Sequence, residues 1–155
     1  EINACFSAFD RIIQEHGIEK IKTIGDSYMA AGGLPTPNKT HAVDVVNAAL
    51  AMQRFMKERE VARMAKGQTY FEIRLGVHTG PVVAGIVGVK KFQYDIWGDT
   101  VNTASGVESA GQAGMVNISH TTYEYVRDKF TCIPRGQIYI KGKGELEMYF
   151  VEGGV

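Results

Sequence analysis

Residues 19–30 read Glu-Lys-Ile-Lys-Thr-Ile-Gly-Asp-Ser-Tyr-Met-Ala, two short β-prone runs that meet at Gly25-Asp26. Glycine tolerates positive φ and aspartate can bond its own turn, so a Gly-Asp pair between such runs signals a hairpin. A connection this short can join only antiparallel neighbours. One dipeptide thus commits the N-terminal part of the chain to antiparallel pairing. Two chemically unlike side chains ride on the hairpin. Asp26, at the tip, can offer a carboxylate to a hard cation. Lys22, four residues back, can offer a cation or three hydrogen-bond donors. A turn aspartate and a solvated strand lysine read the same from these residues alone.

The remaining segments alternate in period. Ile2, Cys5, Phe6, Phe9, Ile12 and Ile13 make one apolar helix stripe over residues 1–16, and Gly17 is a natural stop. The stripe starts at Glu1 with no capping residue before it, as expected of a fragment. Gly32-Gly33-Leu34-Pro35-Thr36-Pro37 makes a loop. Thr40 is placed to N-cap a long helix over 41–65, with Val46, Ala49, Met52 and Met56 on its buried side and a charged far end. Phe71, Ile73, Leu75 and Val77 alternate with Glu72, Arg74, Gly76 and His78, the period-two pattern of a half-buried strand. A second, more apolar strand covers 82–88, and a third covers 92–96. Gly98-Asp99-Thr100 opens a helix to about Ala110, which places Asn102 and Gly106 on one face. A short strand at 115–118 precedes a helix capped by Ser119 and running to about Arg127. Two last strands, at 136–141 and 145–151, are joined by Gly142-Lys143-Gly144. Short turns between neighbouring strands argue for α+β with a largely antiparallel sheet, not a doubly wound parallel one.

At 155 residues the chain is one domain, residues 1–155, long enough for a real core. Its formal net charge is zero, so no bulk field favours nucleic acid or an anionic membrane, and any anion site must be local. Cys5 and Cys132 lack metal-type spacing and fit a reduced, cytoplasmic context. No apolar run approaches the roughly 20 residues of a membrane helix. His78 has no second His or Cys nearby, so a structural role is expected of it.

Three motifs carry a resemblance, in order along the chain. Lys20-Ile21-Lys22-Thr23-Ile24-Gly25-Asp26-Ser27-Tyr28-Met29 resembles the metal-binding hairpin of class III nucleotidyl cyclases. Gln93-Tyr94-Asp95-Ile96-Trp97-Gly98-Asp99-Thr100-Val101-Asn102-Thr103-Ala104-Ser105 resembles that family's nucleotide-recognition segment. Lys141-Gly142-Lys143-Gly144 resembles its phosphate-binding segment. The long middle motif is highly specific; Lys-Gly-Lys-Gly alone is weak.

The resemblance implies a ferredoxin-like antiparallel sheet with helices, and a first strand absent from this chain. It implies attack of a ribose 3′-hydroxyl on the α-phosphate of a nucleoside triphosphate, giving a cyclic monophosphate and pyrophosphate with two Mg²⁺ or Mn²⁺ ions. Asp26 matches one of two metal-binding aspartates; the other would lie upstream of residue 1. Lys22 and Asp95 match the adenine-reading pair of adenylyl cyclases, where guanylyl cyclases carry Glu and Cys, so ATP is expected over GTP. Asn102 matches the ribose-orienting residue and Lys141 the triphosphate-binding lysine. Gly106 stands where the family has an arginine thought to stabilise the transition-state phosphate. A chain holding both Asp26 and the base- and phosphate-binding set implies a homodimer with two interfacial sites. The expected setting is a cytoplasmic domain, with room for membrane or sensor domains in a parent protein. The alternatives are a weakened or inactive cyclase-like module that dimerises and binds nucleotide, and a guanylyl cyclase.

Overall fold

The computed structural model describes residues 1–91 and 93–154. In chain order the elements are α1 (Ile2–Glu15), β1 (Glu19–Ile24), β2 (Ser27–Ala31), α2 (His41–Ala65), β3 (Leu75–Val77) and β4 (Val83–Val87). There follow β5 (Gln93–Trp97), α3 (Asp99–Ser109), β6 (Val116–Ser119), α4 (His120–Val126), β7 (Phe130–Ile140) and β8 (Gly144–Gly154). Phe92, the first residue expected of the third strand, lies outside the described residues.

Four strands form the main sheet in the order β3-β6-β8-β7, and β1-β2 and β4-β5 are separate hairpins. The β1–β2, β4–β5, β6–β8 and β7–β8 pairs are antiparallel, as the short turns require. Only β3–β6 is parallel among the described pairs, and its long connection carries the β4–β5 hairpin and α3 across one face.

The period-two rule explains the layering. Met148 and Tyr149 are neighbours on β8 and point to opposite faces. Tyr149 joins Val77, Val116, Ile118 and Val151 in a core under Ala42, Val46 and Ala49 of α2. Met148 packs instead with Val107 of α3 and Ile140 of β7. The sheet is therefore covered by α2 on one face and α3 on the other. A third cluster joins Cys5, Phe9 and Ile13 of α1 to Met52 and Met56 of α2. Tyr28 and Ala30 of β2 and Leu75 of β3 pack on this cluster together, although no hydrogen-bonded ladder joins β2 to β3 among the described residues.

On the α3 face the fit is tight. A Cβ built on Gly76 would lie 2.3 Å from the Glu108 backbone nitrogen. Buried Asn117 satisfies this seam: its Nδ2 donates to Val107 O at 2.9 Å and its Oδ1 accepts from Arg135 at 3.0 Å.

Three expectations are corrected. The alternating run 71–77 becomes a strand only at Leu75–Val77. Phe71 and Ile73 still pack inward, but Ile73 O accepts from Gly114 N and the Gln53 side chain, so its backbone bonds go outside any ladder. Thr40 precedes α2 without capping it, because its hydroxyl donates to Asp44 Oδ2 at 2.8 Å. The last two strands are longer than expected, since bulges near Cys132 and Gly136 let pairing continue past Pro134. Ser119 does cap α4, accepting from Thr122 N at 3.4 Å.

The Gly76–α3 contact is testable. Gly76→Ala should force α3 off the sheet and lower stability by about 1–3 kcal/mol, the usual cost of overpacking. Urea denaturation checks this, and an unchanged midpoint would contradict the close approach.

Candidate active site

β1 does not run straight. Its register against β2 shifts between Lys20 and Lys22, a bulge at Ile21. Bulges re-aim the following side chain, and here Lys22 turns towards β5. Ile21 is buried, and its carbonyl accepts from Gln93 Nε2 at 3.3 Å, tying the hairpin to the start of β5. From the other side Tyr28 donates to Asp10 of α1 at 2.6 Å, and Lys20 pairs with the same carboxylate at 3.0 Å. Burial first, and then the hydrogen bond to that anion, push the Tyr28 phenol well above its ordinary range.

So held, Lys22 Nζ lies 2.9 Å from Asp95 Oδ2, across 73 positions of sequence. The other carboxylate oxygen accepts the Ile96 N–H at 2.8 Å. The Lys22 hydrogen bond, followed by the Ile96 N–H, holds the Asp95 carboxyl below the usual carboxylate range. The two side chains are 27% and 12% exposed, too sheltered for an idle surface pair, which is worth about 0–1 kcal/mol. The pair expected from two distant motifs is thus assembled.

α3 begins four residues after Asp95, at Asp99. Asn102 is exposed one turn along, and Gly106 follows on the same face. The end of β7 runs beside this face: a Cβ on Gly106 would lie 2.5 Å from Ile140 Cγ2. Lys141 follows Ile140 directly and is exposed in the β7–β8 turn. Two turn residues on, Lys143 forms an ion pair with Asp99. The β7–β8 turn with Lys141 and the α3 face with Asn102 and Gly106 therefore form a seam, and the Lys22–Asp95 pair stands on β5, four residues before that helix begins.

Asp26 is exposed at the tip of the β1–β2 turn, where Gly25 has φ 57°. It brings a single carboxylate, and no group of three His, Cys, Asp or Glu side chains converges among the described residues. The donor set present fits one ligand of a metal centre, not a whole centre.

Sequence reasoning missed the Lys143–Asp99 pair and the Gln93 tie. Lys143 and Asp99 both lay inside noted motifs, but nothing in spacing linked them. His78, expected to be structural, has Nδ1 2.6 Å from Ser119 Oγ. Burial and the Lys143 charge hold its imidazole below the ordinary value. Cys5 and Cys132 are free, and burial raises both thiols. A cavity of about 590 Å³ lies elsewhere, lined by His16, Arg54, Val116 and Glu152 among others, and holds none of the site residues.

Comparison with known proteins matches residues 1–153 to the adenylate and guanylate cyclase catalytic domain family. The chain is 44% identical over 151 residues to guanylate cyclase soluble subunit beta-2 of Rattus norvegicus, covering 97% of the chain and 22% of that protein. It is 39% identical over 152 residues to an adenylate cyclase of Mycobacterium bovis, covering 98% of the chain and 33% of that protein. The chain thus spans between a fifth and a third of these relatives. The crystal structure of the adenylyl cyclase CyaB from P. aeruginosa superposes with TM-score 0.90 at 35% identity, covering 97% of this chain and 79% of that one.

The Gly106–Ile140 contact sets a test. Gly106→Arg alone should be destabilising, because Ile140 Cγ2 occupies the space of a Cβ. Paired with Ile140→Ala it should be more stable than the two single effects summed, by about 0.5–3 kcal/mol. Strict additivity in chemical denaturation would refute the contact.

Proposed function

The chain belongs to the class III adenylyl and guanylyl cyclase catalytic domains, and from that premise we propose that it is an adenylyl cyclase domain, closing ATP to 3′,5′-cyclic AMP. The ribose 3′-hydroxyl gives its proton to water, its oxygen bonds to the α-phosphorus, the bond from that phosphorus to the β-bridging oxygen breaks, and pyrophosphate leaves with the electron pair. The observation that carries the ATP assignment is the 2.9 Å contact between Lys22 and Asp95. Adenine presents its N1 acceptor beside its amino donor. Lys22 donates to the first and Asp95 accepts from the second, so the groups that now satisfy each other satisfy the base instead. Guanine presents a carbonyl and a ring N–H on that edge and leaves both mismatched.

Asn102 orients the ribose, and Lys141 holds the triphosphate from the turn beyond. Both act by positioning and by countering charge that grows towards the leaving group. Members of this family generally use divalent metal ions, which activate the hydroxyl and neutralise phosphate. Asp26 is this chain's ligand for such an ion, here Mg²⁺ or Mn²⁺, and the remaining ligands come from outside the residues described.

We further propose that the working unit is a homodimer. The seam is open to solvent, and around it lie apolar side chains that a lone domain gains nothing by exposing. Ile24 is 61% exposed, Ile86 70% and Val89 91%. Val83 and Trp97 pair across the β4–β5 hairpin, and both are exposed. A two-fold mate seated here would cover this face and close the site. A parent protein with sensor or membrane domains fits the small share of each relative that the chain spans; no helix among the described residues is long and apolar enough to cross a membrane.

Gly106 favours a second reading, a nucleotide-binding module with little turnover. Loss of one charge-stabilising donor lowers rate by about 10²–10³. Under the first reading, activity is slow but measurable.

Turnover of ATP and GTP decides between these readings. ATP should be preferred by about a hundredfold, from two mismatched groups at about 1–3 kcal/mol each. Lys22→Glu with Asp95→Cys should erase that preference. Equal use of both nucleotides by the unaltered protein would refute adenine reading; nucleotide binding without cyclic AMP would favour the module. Base reading needs Asp95 ionised, and its carboxyl sits below the ordinary range, so selectivity should be full at neutral pH. It should weaken as pH falls into the carboxylate range, because a bound adenine takes the place of the Lys22 hydrogen bond that holds this carboxyl low.

A further inference from the structure

The β7–β8 turn carries Lys141 but has little of its own to hold it. Gly142 and Gly144 flank Lys143 at φ 81° and 84°, and a Cβ at either would meet nothing within 4 Å. Beyond the β7–β8 ladder, which ends with Ile140 opposite Gly144, Lys143 N donates to Ile140 O at 3.0 Å across the turn. Glycine has the widest backbone freedom of any residue, so two in succession around one lysine make a soft hinge. A phosphate-binding lysine on such a hinge samples many positions unless something outside the turn fixes it.

Lys143 provides that outside contact. Its side chain is 24% exposed and forms an ion pair with Asp99, the first residue of α3. Asp99 suits the place, since a carboxylate in a helix's first turn is favoured by the helix dipole. Gly98, before it, has φ 121° and offers no capping side chain, so Asp99 is the first side chain that α3 presents to the turn. Asn102 lies one turn further along the same face. The pair thus joins the two segments that must act on one substrate.

We propose that Asp99 and Lys143 form a clasp that sets the β7–β8 turn against the start of α3, making both of them positioning residues for Lys141 and Asn102. This rests on the cyclase reading above. The contact is half open to water, so it contributes little to global stability. It needs to do little, because the competing conformers of a two-glycine turn are close in energy. Its effect falls on geometry, where a small displacement of a charge-stabilising group is costly to rate. His78 reports on the same cluster independently, since the Lys143 charge is one of the two causes that hold its imidazole low.

The test uses the full-length protein with charge-reversed variants. Asp99→Lys and Lys143→Asp should each lower kcat by about tenfold with KM for ATP changed little, as loss of positioning alone predicts. The double reversal Asp99→Lys/Lys143→Asp should regain most of that loss. If Lys143→Asp raises KM as strongly as Lys141→Met and the double reversal restores nothing, Lys143 binds phosphate itself and the clasp is overturned. Two readouts stand apart from activity. Without nucleotide, Asp99→Asn should speed hydrogen exchange of the amides at 141–144 by about tenfold. Lys143→Met should raise the His78 pKa by NMR titration. Unchanged exchange and an unmoved His78 would overturn the clasp even in an active enzyme. Conversely, faster exchange in a protein without cyclase activity would keep the clasp and remove the cyclase reading.

Discussion

Asn102, Asp99 and the β7–β8 turn that carries Lys141 are placed by the contact between α3 and the sheet. The helix comes so close at Val107 and Glu108 that residue 76 has no room for a side chain, and in the same turn Ile140 fills the space beside Gly106. Between those contacts Val107 is fully buried against Met148, and Asn117 closes the polar edge. A helix packed this closely on a sheet is a rigid mount. Asp99 and Asn102 inherit their positions from it, and the β7–β8 turn, which begins where Ile140 ends, is registered to it.

The β1–β2 hairpin is the second rigid body, and it is docked, not woven in. Among the described residues it shares no ladder with the main sheet; side chains hold it instead. Tyr28 reaches Asp10 on α1, and Gln93 reaches the carbonyl of Ile21. The bulge at Ile21 then decides where Lys22 goes. The Lys22–Asp95 pair, which we propose reads the purine, therefore depends on a local backbone irregularity as much as on the identities of its two residues. The ion pair in turn joins the two bodies and carries part of the docking.

Much of this was legible in the sequence, because the signals were local or belonged to long motifs. The hairpin at Gly25-Asp26, the stripe of α1, the span of α2 and the Ser119 cap all follow from periodicity and turn chemistry. Lys22 and Asp95 could be matched only because each sat inside a recognisable segment; spacing alone could never join positions so far apart. What stayed hidden depends on tertiary partners. Ile73 has strand character, but Gln53 and Gly114 take its carbonyl. Thr40 has a capping side chain, but Asp44 takes its hydroxyl. Val83 and Ile86 belong to a run that reads as an apolar strand, yet both are exposed on the two-stranded β4–β5 hairpin. Gly106 read as a missing cation, and no pattern revealed that Ile140 packs against it.

That last contact has an evolutionary consequence. An arginine cannot simply return at 106, because the first step back meets an aliphatic wall, and thinning Ile140 first opens a void in the packing of Val107 and Met148. Either order passes through a less stable intermediate. A large side chain at 106 is thus hard to reach by single changes of the gene.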